Sequence, residues 1–224
     1  VAWNTLISGY AHQGEGYESI ACFYEMQREG ISPDVFTFTS ILKVCGNIGA
    51  VGKCRLIHSV ITSINLEVDL ILEVSLVDAY SKCGCFNDAF ELLDEEPVKS
   101  VQAWNALIGG YVDYGKTHEA LNCLRQMRKE GIFPNAITFI CILKVCGSTR
   151  AVEEGVHVHN EIINRGIFLE DIVLGNALVD MYARCGMLVE AHQVLKSLDA
   201  QNVVSWSALI DGYAQQEQGH EALD

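Results

Sequence analysis

The sequence predicts an all-α fold, an α-solenoid of stacked helix-turn-helix units, and three observations carry that expectation. A segment built on Trp, Leu, Ile and Tyr occurs three times, at Trp3, Trp104 and Trp206, spaced 101 and 102 residues apart. Within each copy the apolar residues fall at i, i+3, i+4 and i+7, the period of one helix face. Glycine and proline then interrupt the pattern at recurring places, as stops between short helices.

The duplication extends well beyond the Trp segment. Ile41-Leu42-Lys43-Val44-Cys45-Gly46 returns as Ile142-Leu143-Lys144-Val145-Cys146-Gly147, and Leu76-Val77-Asp78-Ala79-Tyr80 returns as Leu178-Val179-Asp180-Met181-Tyr182. Each long unit subdivides again, giving sub-repeats 1–34, 35–69, 70–100, 101–135, 136–171, 172–202 and a shorter 203–224.

Taken in order, Trp3, Leu6, Ile7 and Tyr10 make the first stripe, Gly14 and Gly16 interrupt, and Ile20, Phe23 and Met26 make the second, closed by Gly30 and Pro33. The fourth sub-repeat has the same plan: Leu121, Leu124 and Met127 precede Gly131 and Pro134. In the third, Gly84 separates the helices, Ala89, Leu92 and Leu93 are expected to face inward, and Pro97 closes the pair. Helices of about 12 residues cannot bury such stripes alone, so the pairs must stack. Strand signals are absent.

Composition narrows the function. The 224 residues are half apolar and carry a formal net charge of −14, unpromising for a nucleic-acid binder until the charge is located. Nine cysteines, with no C-x-x-C pair, fall at repeat-equivalent sites such as Cys45 and Cys146, or Cys83 and Cys185. They are expected to be small packing residues in a reducing compartment, and no metal site is expected, since nothing completes Cys83-Gly84-Cys85. No apolar run reaches membrane-spanning length, and no targeting segment is recognised at the N-terminus. Both ends fall inside a repeat, so the chain reads as an excerpt whose uncapped ends would favour end-to-end self-association.

Catalytic chemistry is missing. A zinc deaminase needs H-x-E followed by P-C-x-x-C. His159-Asn160-Glu161 fits the triplet, but none of Pro33, Pro97 and Pro134 precedes a Cys, and His159 is the repeat equivalent of His58. No enzyme activity, no catalytic residue and no cofactor is expected.

Two families use helix pairs of this size. The tetratricopeptide pattern W-x2-L-G-x2-Y fails because Ile7 stands where its Gly belongs. The chain instead resembles pentatricopeptide repeat (PPR) proteins of the plant PLS class. The P-type match is Trp104-Asn105-Ala106-Leu107-Ile108 through Gly131-Ile132-Phe133-Pro134-Asn135. The L-type match is Thr37-Phe38 with Ile41-Leu42-Lys43-Val44-Cys45 and His58, recurring with His159. The S-type match is Gly175-Asn176-Ala177-Leu178-Val179 through Cys185-Gly186. On that resemblance 1–34, 101–135 and the truncated 203–224 are P, 35–69 and 136–171 are L, and 70–100 and 172–202 are S, in one PPR solenoid wound as a right-handed superhelix.

The resemblance implies sequence-specific single-stranded RNA binding, one base per repeat, in mitochondrion or chloroplast, as the recognition module of a C-to-U RNA editing or processing factor. It further implies that the fifth and last residues of each repeat read a base while the second packs against it. Carried over, Asn4 with Asp34 reads U, Thr39 with Asp69 reads G, and Asn105 with Asn135 and Asn176 with Asn202 each read C. Ser207 keeps only a purine lean. Val74 with Ser100 and Ile140 with Asp171 depart from the code, which leaves the target as 5′-U-G-n-C-n-C-3′. The base-packing residues are then Val1, Phe36, Ile71, Gln102, Ile137, Val173 and Val204, with polar Gln102 the exception.

Helix capping is the competing explanation for Asp34, Asn135 and Asn202, which each precede a helix. Against it, Asn4, Asn105 and Asn176 lie inside helices, where Asn is a mediocre former. The charge is unevenly placed. The first helices of the pairs hold Lys43, Lys82, Lys144 and Arg184 against Glu73, Asp78, Asp113, Asp180 and Asp211, a balance of −1, leaving −13 for second helices and connections. Lys82 and Arg184 are the candidate phosphate contacts. The alternative function is an acidic helical-repeat scaffold for protein interactions, and the resemblance allows recruitment of small organellar editing-factor proteins, with no membrane involved.

Overall fold

The computed structural model describes residues 2–64, 66, 69–95, 100–167, 171–198 and 202–216. Among the described residues there are thirteen helices and no strand. Contacts divide the chain into two compact units, Val1–Tyr114 and Gly115–Asp224.

In the first unit, helices α1 (Ala2–Gln13), α3 (Val35–Asn47), α5 (Leu70–Lys82) and α7 (Val101–Asp113) form one layer, each packed on the next. Helices α2 (Gly16–Arg28), α4 (Val51–Ser63) and α6 (Phe86–Glu95) form a second, each lying against the two first-layer helices that flank it in sequence. The second unit repeats the plan. There α9 (Ala136–Thr149), α11 (Ile172–Arg184) and α13 (Val203–Gln215) make the first layer, and α8 (Thr117–Lys129), α10 (Val152–Asn164) and α12 (Leu188–Ser197) the second.

The stripes account for the core. Ile20, Phe23 and Met26 of α2 and Leu121, Leu124 and Met127 of α8 are all buried, as are Ala89 and Leu93 of α6, while Leu92 is only half-buried. Fully burying a side chain of this size contributes about 1.5–3 kcal/mol, which is what holds helices too short to persist alone. The Trp stripe is covered unequally. Trp104, Leu107 and Ile108 of α7 are sealed, but in α1 only Ile7 is, and Leu6 is exposed. Within its unit α1 packs on α2 and α3, and of its stripe Trp3 and Tyr10 are half-buried.

Two of the duplicated glycines, Gly46 and Gly110, lie where first-layer helices touch, whereas a Cβ on Gly9 would meet nothing within 4 Å. A Cβ on Gly110 would stand 2.4 Å from the Cβ of Ser81, and one on Gly46 would stand 3.2 Å from the Cα of Ala79. The duplicated cysteines have a local reason too. Cys83 Sγ donates to the Cys45 carbonyl and Cys185 Sγ to the Cys146 carbonyl, both at 3.6 Å. Burial pushes the Cys45 and Cys146 thiols up to about 12, so both stay protonated. Cys22, Cys83, Cys85, Cys141 and Cys185 are half-buried rather than packed in the core. Among the described residues no group of three His, Cys, Asp or Glu could hold a metal ion, and no helix is long and apolar enough to cross a membrane.

His58 and His159 also have equivalent surroundings. Each ring nitrogen Nδ1 meets a tyrosine hydroxyl of the next first-layer helix, Tyr80 at 3.0 Å and Tyr182 at 2.8 Å.

Candidate nucleic-acid interface

Each of the six residues that end a full sub-repeat caps the start of a helix. Asp34 accepts from the Thr37 N–H at 2.8 Å, Asp69 from Leu72 at 2.9 Å, and Ser100 from Ala103 at 3.0 Å. In the second unit Asn135 accepts from Thr138 at 3.1 Å, Asp171 from Val173 at 2.9 Å and from Leu174 at 3.1 Å, and Asn202 from Ser205 at 3.0 Å. The capping explanation therefore holds at all six positions. A cap uses one side-chain oxygen, so a carboxylate such as that of Asp34 keeps a second oxygen for another task.

At Asp34 that second task is visible. The Asn4 amide nitrogen donates to both carboxylate oxygens, at 3.1 and 3.0 Å, and the Asn4 carbonyl oxygen accepts from the Thr37 hydroxyl at 2.7 Å. Desolvation alone would raise the Asp34 carboxyl, but the hydrogen bonds from Thr37 and Asn4 outweigh it and hold the group below the usual carboxylate value. Asp34 is thus an acceptor-only anion throughout the physiological range.

The other expected readers differ in setting. Asn176 is half-buried, and its Oδ1 is enclosed without a hydrogen-bond partner. Asn105 is more closed in than expected, at 9 % exposure, because α7 is packed more fully than α1. The Thr39 hydroxyl donates to the Phe36 carbonyl at 3.0 Å, which leaves it acceptor capacity only. Asp69 and Asn135 are exposed, Asn202 is half-buried, and Ser207 is exposed on α13. The Gly131–Asn135 turn is held by Arg165, whose guanidinium lies 5.7 Å from the Phe133 ring and 5.6 Å from the Phe139 ring and donates to the Pro134 carbonyl at 3.1 Å.

The expected packing residues share one property. Phe36, Ile71, Ile137, Val173 and Val204 are 56, 63, 58, 57 and 62 % exposed. Gln102 is exposed as well, and Val1 lies outside the described residues. Core packing explains none of these five apolar side chains. They stand at one helical register, beside a fifth position that is half-buried at Thr39, Val74, Ile140 and Asn176 and exposed at Ser207, while the residues two places before and after the fifth position enter the core.

In the first unit these groups border a groove of about 390 Å³ across α1, α3 and α5, lined among others by His12, Phe36, Thr39, Lys43, Val74 and Asp78. A second hollow beside it, of about 770 Å³, is lined by Asn4, Ser8, Asp34 and Phe36. Lys82 and Arg184, the candidate phosphate contacts, are each paired one turn back in their own helix. Lys82 Nζ lies 2.7 Å from Asp78 and Arg184 Nε 2.8 Å from Asp180. Such i, i+4 pairs on a partly exposed surface contribute only about 0.3–0.5 kcal/mol, so a phosphate can compete for either base.

Sequence reasoning missed Thr37 and His12. Thr37 is fully buried, yet touches Asn4, and His12 lines the groove with Nδ1 held 2.6 Å from the Ser8 carbonyl.

Comparison with known proteins bears on this arrangement. A model described as the PPR repeat family matches residues 1–47 and 99–148, and a second, the PPR repeat, matches 74–95, 176–203 and 204–224. The Arabidopsis thaliana pentatricopeptide repeat-containing protein At2g33680 is 35 % identical over 224 residues, all of this chain and 31 % of that protein. The chloroplastic pentatricopeptide repeat-containing protein At4g18520 of the same plant is 36 % identical, over all of this chain and 36 % of its own length. The mitochondrial At2g03880 is 30 % identical, again over all of this chain and 34 % of its length. The chain thus spans about a third of the length of these curated relatives. Among solved structures, PPR10 in complex with an 18-nt psaJ RNA element superposes with a TM-score of 0.73 at 21 % identity, covering 99 % of this chain and 34 % of that one. At that identity the likeness concerns the fold.

Proposed function

The chain belongs to the pentatricopeptide (PPR) repeat family, and from that premise we propose that it binds single-stranded RNA along its first-layer helices, one base per repeat. The observation that carries this reading is the row of exposed apolar side chains at Phe36, Ile71, Ile137, Val173 and Val204, each beside a fifth-position residue. A base plane needs a flat apolar surface and its edge needs a nearby donor or acceptor; the two positions supply both.

Repeat one supports a definite base. Asp34 can only accept, and Asn4 turns its amide N–H toward it. An acceptor beside a donor suits the Watson–Crick edge of U, where a ring N–H lies next to a carbonyl. Cytosine offers a ring lone pair at that place, which the carboxylate repels. Replacing the carboxylate by an amide, as with Asn135 and Asn202, lifts that repulsion and fits C. With Thr39 and Asp69 reading G, the target is 5′-U-G-n-C-n-C-3′.

The wider role is recognition within a PLS-class organellar C-to-U RNA editing or processing factor, in chloroplast or mitochondrion as its relatives' names suggest. Any catalysis then belongs to another part of the protein or to a partner. The net charge of −14 favours a second activity on the acidic second layer, recruitment of small editing-factor proteins. Titration with U-G-n-C-n-C RNA, shuffled RNA and the DNA equivalents tests the leading reading. Preference for the ordered RNA is expected; equal binding of all three would leave the scaffold reading in its place.

A further inference from the structure

We infer that Thr37, a buried residue of the helix after repeat one, is a positioning residue for Asn4, its hydroxyl setting which way the Asn4 amide faces. This role presupposes the base reading of repeat one proposed above.

The two ends of an Asn amide are nearly the same size, so sterics leave its orientation open and hydrogen bonding must choose. At Asn4 both flanks choose alike. Asp34 presents two carboxylate oxygens to Nδ2, and the Thr37 hydroxyl lies 2.7 Å from Oδ1. Thr37 Oγ1 already accepts from the Asp34 N–H at 3.2 Å, so its proton is free to go to an acceptor. That proton has two within reach, Asn4 Oδ1 and Asp34 Oδ1 at 2.8 Å. Turning the amide over would set its oxygen against the carboxylate and lose the hydroxyl bond. Thr37 is fully buried and cannot touch a base itself. Its effect must pass through Asn4.

The register supports a role beyond capping. Sub-repeats whose fifth residue is Asn (Asn4, Asn105, Asn176) are followed at the third position of the next helix by a hydroxyl: Thr37, Thr138, Ser205. Those whose fifth residue is Thr39, Val74 or Ile140 are followed there by Leu72, Ala103 or Leu174. Helices α5, α7 and α11 are nonetheless capped, by Asp69, Ser100 and Asp171, through backbone N–H groups alone. In α3, α9 and α13 the hydroxyl also completes a capping box, accepting from the N–H of the cap residue, but α5, α7 and α11 start without one, so the helix start does not require it. In repeat six the lock is open, because Ser205 donates to the Asn202 carbonyl at 2.9 Å while Asn176 Oδ1 has no partner.

The test compares the full chain with Thr37→Val and Thr37→Ser, competing RNAs that differ only as U or C at the first nucleotide. In Thr37→Val the preference for U should fall about tenfold, the equivalent of one hydrogen bond. The preference for G at the second nucleotide should not move, and Thr37→Ser should restore the U preference. A folded Thr37→Val protein that prefers U as strongly as wild type overturns the inference alone, as does a Ser variant no better than Val. Wild type without any U preference overturns the repeat-one reading, and the inference with it. If Thr37→Val does not fold, Thr37→Ala takes its place in the same competition, with the same two outcomes.

Discussion

The Asn4 amide nitrogen sits 3.1 and 3.0 Å from the two carboxylate oxygens of Asp34, thirty residues further along the chain. The same carboxylate caps α3 through the Thr37 N–H. The cap and the proposed base reader are one group here, and changes at Asp34 can be designed to separate the two roles.

Asp34→Asn keeps a good N-cap, so stability should change by less than about 1 kcal/mol. The acceptor-only anion is gone, however, and the first nucleotide preferred should change from U to C. Competition binding with the four first-nucleotide variants measures this, and a retained U preference would contradict the carboxylate's role.

Phe36→Ala removes a side chain that is 56 % exposed and makes little contact with the core. Folding stability should hold within about 0.5 kcal/mol, as for other surface substitutions. RNA affinity should drop by about 1 kcal/mol or more if the ring carries a base plane. Urea melts and RNA titrations on the same preparation read the two effects separately; equal affinity would remove Phe36 from the interface.

Gly110 and Gly109 make a controlled pair. Alanine at Gly109 meets nothing within 4 Å and should stabilise α7 by up to about 1 kcal/mol through helix propensity. Alanine at Gly110 would press on Ser81 and should destabilise by about 1–3 kcal/mol, as overpacking does. Denaturant midpoints of the two variants should move in opposite directions.

His159 gives the fold a pH dependence with a definite sign. Burial lowers its pKa from 6.5 while its ring faces the Tyr182 hydroxyl. The unfolded chain therefore takes up a proton that the folded chain resists. The contribution to stability is complete above about pH 6.5 and declines as pH falls toward the lowered folded value, by at most about 1.4 kcal/mol per pH unit. His159→Gln should remove that component from the stability difference between pH 7 and pH 5.5. An unchanged pH profile would show that the ring's burial carries no such cost.

The helix pairs and their order were legible in the chain, because the segment that returns near every 101 residues carries the same stripes and the same stops, whereas the second and fifth positions were singled out by the resemblance. Helix stripes were legible for the same reason that they form, since burial at 3.6-residue spacing is a local pattern. Their coverage was not. Leu6 and Trp104 belong to equivalent stripes, yet one is exposed and the other sealed, since burial depends on which neighbours arrive. Lys82 and Arg184 read as candidate phosphate contacts in the sequence, while their ion pairs with Asp78 and Asp180 depend on rotamers that a charge count ignores.

By itself, then, the sequence determined the helical-repeat fold and the places along it where polar and apolar groups recur, because both follow from periodicity along one chain. Only the tertiary structure decided what each of those groups can do. Stacking α1 on α3 brings Asn4, Asp34 and Thr37 within hydrogen-bonding distance, and the direction in which an amide points is chosen by partners that lie about thirty residues away.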